Sequence, residues 1–105
     1  MATKIHNTVK ICGIPHTIIE KDYIEGDGCV LGEVEYRSCT ISMRIDQTPE
    51  MYRNTLIHEM CHAMLVMIGR NDLSENEQFV QTLALAISQT FDLKEDNNDT
   101  NSNTT

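Results

Sequence analysis

His58-Glu59-Met60-Cys61-His62 sets two imidazoles four residues apart, with a carboxylate directly after the first. On a helix, positions i and i+4 lie one above the other on a single face, so both rings can reach one cation. Glu59 follows His58 by about 100° round the helix. That places it beside the cation rather than on it, where a base for a metal-activated water belongs. A zinc ion used for hydrolysis takes three protein ligands and keeps a fourth position open, so a third donor is required.

No histidine follows His62, and the other two, His6 and His16, lie in an N-terminal arm and a turn. The acids of the next segment are therefore the candidates: Glu77, Glu75 and Asp72. Val80, Leu83, Ala84, Ile87 and Phe91 mark an apolar stripe there, with Phe79 on its flank. Glu77 falls about 60° from the centre of that stripe and Glu75 about 140° from it, which favours Glu77. Ser74-x-x-Glu77 also spells a capping box, and Asp72–Glu75 a second, so a capping role competes with ligation. Hydrolysis usually needs an electrophile besides the metal. Tyr36, Arg44, Tyr52, Arg53 and His16 are conceivable, and the sequence assigns none. Cys61 is offset by three from His58 and by one from His62, an awkward fourth ligand and better read as a buried thiol.

These residues need elements to hold them. Thr48-Pro49-Glu50 reads as a helix start, with Thr as N-cap, Pro at the first position and Glu near the positive dipole end. The helix runs to about Ile68 and Gly69 stops it. From Leu56 to Ile68 nearly every position except His58, Glu59 and His62 is apolar. A helix apolar all round is buried, and ionisable groups on it need partners or a metal. A second helix is expected from Leu73–Glu75 to about Leu93. Residues 8–46 read as strands and turns: Thr8–Cys12, a turn at Gly13-Ile14-Pro15-His16, then Thr17-Ile18-Ile19, a polar loop over Tyr23–Gly28, and Glu33–Tyr36. Cys39–Asp46 alternates strictly, with Cys39, Ile41, Met43 and Ile45 on its apolar face, as a half-buried antiparallel strand does. The expected fold is α+β: a small antiparallel sheet, then an active-site helix, then a ligand-bearing helix. The domain covers residues 1–93, and the polar run 94–105 is expected to be a disordered tail.

At 105 residues the chain makes one domain with a single modest core. A net charge of −8 argues against nucleic acid or an anionic membrane as partner. There is no apolar run of transmembrane length and no apolar N-terminal stretch of secretory type. Cys12, Cys29, Cys39 and Cys61 show no paired spacing and read as buried free thiols in a reducing cytoplasm.

Asn54-Thr55-Leu56-Ile57-His58-Glu59-Met60-Cys61-His62-Ala63-Met64-Leu65 resembles the T-L-x-H-E-x-x-H-A core of small phage and prophage zinc peptidases related to the ImmA/IrrE group. Ser74–Ala84 is similar to the acid-bearing helix that follows in such proteins. More loosely, Val9–Gly13 and Leu31–Val34 are similar too. The resemblance implies a minimal gluzincin-like fold. It also implies zinc on His58, His62 and an acid of the second helix, with Glu59 as base. The second helix lacks the alanine-asparagine step and proline-terminated apolar segment of the larger ImmA type, which leaves the acid and the substrate open. The expected function is thus a zinc-dependent peptidase acting on a protein or peptide, laid along Cys39–Asp46 if that strand is a sheet edge. The alternative is a non-catalytic, zinc-stabilised protein-binding module of phage or prophage origin. Glu59 separates the two, since a structural site has no use for a glutamate there.

Overall fold

A computed structural model of the chain describes residues 4–25 and 30–91. Strands β1 (Lys4–Ile11) and β2 (Ile14–Lys21) form an antiparallel hairpin. Its turn is Cys12-Gly13, with φ of 53° and 82°. Two positive φ values give a two-residue loop whose twist matches that of the strands. Pro15, expected in the turn, lies within β2 opposite Lys10. Pairing of β2 with its other neighbour begins only at Thr17, so the missing Pro15 N–H breaks no bond on that side.

Strands β3 (Gly32–Glu35) and β4 (Thr40–Arg44) make a second antiparallel hairpin. The sheet order is β1-β2-β4-β3, and β4 runs parallel to β2. The sheet is therefore mixed rather than antiparallel throughout. The second hairpin enters with its latter strand inward, so β4 fills the place beside β2 and points the same way. The strand expected over Cys39–Asp46 is shorter at both ends. Cys39 is in the turn at φ 52°. Ile41 and Met43 are buried as their alternation requires, yet Ile45 is exposed and Ser42 is buried. An interior strand is covered on both sides by neighbours, which shields even a polar position. The edge strands of the sheet are β1 and β3, and β4 is interior.

Helix α1 (Pro49–Met67) begins and ends where its local signals place it. The Thr48 hydroxyl accepts from Met51 N at 3.1 Å, and Gly69 leaves the helix at φ 84°. Its apolar coat has two destinations. Leu56 and Ala63 pack on Ile11, Ile18, Ile41 and Met43 of the sheet. Ile57, Cys61 and Leu65 pack on Val80 and Ala84. The remaining side of the helix carries Met51, Thr55, His58 and His62.

After a short α2 (Asn71–Ser74), α3 (Glu77–Thr90) supplies Val80 and Ala84. Its N-cap is Asn76, whose side chain accepts from Phe79 N at 3.0 Å. Neither expected capping box forms, because α2 takes up residues 71–74 before the chain turns into α3. Glu77 thus opens α3 with its carboxylate free of capping. The helix ends at Thr90, and Phe91 is exposed rather than part of the stripe. Arg53 of α1 donates to the Ser88 hydroxyl at 3.1 Å and to the Ser88 and Phe91 carbonyls at 3.2 and 2.8 Å. It supplies donors that the end of a helix lacks.

Cys61 is the buried thiol it was expected to be, but Cys12 is exposed in the hairpin turn. The polar run 94–105, Gly26-Asp27-Gly28 and Cys29 lie outside the described residues. Among the described residues no helix is long and apolar enough to cross a membrane.

Candidate metal centre

The third side of α1 meets the first turn of α3. His58 Nε2 lies 3.0 Å from Glu77 Oε1, and His62 Nε2 lies 3.1 Å from Glu77 Oε2. The three ligand atoms are within 4.8 Å of one another. The rings stand edge to face with centroids 5.0 Å apart. Among the described residues no other trio of His, Cys, Asp or Glu converges in this way.

The far nitrogen of each ring is also held. His58 Nδ1 donates to Gln81 Oε1 at 2.8 Å, and His62 Nδ1 lies 3.1 Å from Ser74 Oγ. The Ser74 hydroxyl donates to the His62 carbonyl at 3.4 Å, so towards the ring it accepts. These partners suit hydrogen on Nδ1 of each ring, the tautomer that turns an Nε2 lone pair towards Glu77. In that tautomer two lone pairs and a carboxylate meet. A cation among them satisfies all three, and ring orientation by a second partner is how ligating histidines are usually fixed. Two nitrogens and a carboxylate are a donor set that zinc accepts.

Glu59 sits beside this trio on the sheet side. Burial pushes its carboxyl up to about 7; His58 pulls it down, and Glu77 and Glu33 add to the rise. Gly32, at the head of β3, makes room for it. A Cβ there would lie 2.8 Å from Thr55 Cγ2 and 3.2 Å from Glu59 Cγ. Glycine in a strand marks such a close approach. An open groove of about 380 Å³ runs between Val30, Leu31 and Gly32 on one side and His58, Glu59 and Gln81 on the other. Gln47 braces the β3 side: its Nε2 donates to the Leu31 and Arg44 carbonyls at 3.2 and 2.9 Å, and its Oε1 accepts from Thr55 Oγ1 at 2.8 Å.

The other candidates lie elsewhere. Glu75 is the exposed C-cap of α2. Asp72 pairs with Arg70 at 2.9 Å, whose hydrogen bond holds its carboxyl below the usual range. Tyr52 donates to Glu20 at 2.9 Å, Arg53 serves the end of α3, and Arg44 pairs with Asp46. His16 is buried with its Nδ1 on the Ile14 carbonyl, and Tyr36 is at the β3–β4 turn. None of these five lines the groove. Cys61 packs into the core between α1 and α3 and is not among the converging donors; burial pushes its thiol up to about 11. Sequence reasoning missed Ser74, Gln81 and Gly32. Gln81 had a signal, since it follows Glu77 by four residues and must share its face. Comparison with known proteins finds no matching family model, no matching curated protein and no matching solved structure.

Proposed function

We propose that the chain is a zinc-dependent peptidase of the small phage and prophage kind related to the ImmA/IrrE group. What carries this reading is one arrangement: two oriented Nε2 lone pairs and the Glu77 carboxylate share a focus, with buried Glu59 next to it on an open groove. Zinc held by His58, His62 and Glu77 supplies Lewis acidity and brings the pKa of water towards about 7. Glu59 takes the proton from the attacking water and returns it to the leaving amine. Its place beside the ligands on the groove is where such a base is needed.

The substrate is an extended peptide along β3. Arg44 N donates to the Leu31 carbonyl at 3.0 Å, which makes that facing pair a hydrogen-bonded one. By antiparallel alternation, Gly32 and Val34 turn their own N–H and C=O to the free edge. Those groups can pair with a peptide backbone. The acidic balance of the chain fits a protein or peptide partner rather than nucleic acid or a membrane surface. Among the described residues Cys12, Cys39 and Cys61 are unpaired, which fits a reducing cytoplasm.

Glu59→Gln tests the reading. Candidate host and phage proteins are incubated with wild type and variant, and zinc content is measured in both. The variant should keep its zinc and fold and lose cleavage, because glutamine matches the shape but accepts no proton. Equal cleavage by both would exclude the mechanism. Cleavage by neither, with zinc bound, would favour a zinc-stabilised binding module.

A further inference from the structure

Peptide hydrolysis places growing negative charge on the carbonyl oxygen, and a fixed N–H donor beside the metal is a usual way to meet it. The described groove offers two carboxamides. Asn54 lies one helical turn before His58, and its Oδ1 accepts from the Ser88 hydroxyl at 3.2 Å. Gln81 is the one in contact with a ligand. Its Oε1 is held by His58 Nδ1 at 2.8 Å. An amide is planar, so a fixed oxygen also fixes the direction of its nitrogen. Gln81 Nε2 has no partner among the described residues, although Gln81 lines the groove with His58 and Glu59.

We propose that Gln81, resting on the peptidase reading above, has two tasks: Oε1 positions His58, and Nε2 donates to the substrate carbonyl under attack. One side chain thus links metal geometry to charge stabilisation. The tasks are chemically separable, since one needs an acceptor and the other a donor.

Gln81→Met keeps length and neutrality but removes the donor and leaves only a weak acceptor. Gln81→Glu keeps a strong acceptor for Nδ1. Zinc affinity is measured by chelator competition for wild type and both variants. At saturating zinc, wild type and Gln81→Met are then titrated with two leucyl dipeptide analogues. One is phosphinic and presents an oxygen where the carbonyl charge develops. The other is mercaptoacyl and binds through sulfur without that oxygen. Gln81→Met should weaken zinc about tenfold, while Gln81→Glu holds it near wild type. It should weaken the phosphinic compound about 100-fold and leave the mercaptoacyl compound nearly unchanged. An equal loss for both compounds would overturn the donor role, and unchanged zinc affinity would overturn the positioning role. Failure of both compounds to bind zinc-loaded wild type would overturn the peptidase reading, and this proposal with it.

Discussion

The two walls that flank His58 and Glu59 are made of different material. On the α2–α3 side, Ser74, Glu77 and Gln81 are polar side chains that each reach a ring nitrogen. On the β3 side, Val30, Leu31 and Gly32 offer apolar side chains and backbone. The first wall is held by hydrogen bonds to the ligands themselves. The second is held by Gln47 and Thr55, which hydrogen-bond to each other and, through Gln47, to the Leu31 carbonyl. On the proposed reading, holding the metal and admitting the substrate would fall largely to separate stretches of chain, with Glu59 and Gln81 lining the groove where the two meet.

Removing both rings should have the largest effect. The double change His58→Ala and His62→Ala should abolish zinc binding and make the melting temperature insensitive to chelator. Zinc at 1,000 times its dissociation constant stabilises a native protein by about 4 kcal/mol, and that gain should vanish. Full zinc occupancy in the double variant would remove the metal wall altogether. Next comes Glu77→Gln, which should weaken zinc on the order of 100-fold or more, with Glu75→Gln within about twofold of wild type. The opposite order would mean that the exposed C-cap of α2 moves into the site. Ser74→Ala should weaken zinc about tenfold and leave turnover at saturating zinc unchanged, since it acts only through His62. Gly32→Ala should have the smallest effect on zinc, within about twofold. Its new methyl meets Thr55 and Glu59, so stability should fall by about 1–2 kcal/mol and turnover should drop. If Gly32→Ala weakened zinc as much as Ser74→Ala does, the two walls would not be independent.

What the sequence revealed depended on how local each signal was. Thr48-Pro49 and Gly69 fix the ends of α1 through bonds a few residues long, and both ends were legible. The alternation of Thr40–Arg44 was legible too, but alternation names faces and not neighbours. It could not tell that β4 lies between β2 and β3, which is why Ser42 is buried and β3 forms an edge. The start of α3 was misread because Ser74-x-x-Glu77 spells a cap. The chain uses Asn76 instead and leaves Ser74 to His62. The convergence of Glu77 on both rings followed the helical phase of its stripe, whereas Ser74 and Gly32 act across the fold. Their partners are 12 residues away for Ser74 and on α1 for Gly32.

Arg53 has a consequence for how a metal would enter the candidate centre. It fastens the last carbonyls of α3 to α1 through bonds in which no cation takes part. The helix that carries Glu77 is thus docked at its far end before any ion arrives, and the cost of ordering it is met during folding. On the proposed reading, zinc uptake would need only two rings and one carboxylate to adjust, and the protein would be emptied and refilled without unfolding. In chelator, the amides of the second half of α3 should stay protected from hydrogen exchange, while those near Glu77 open first.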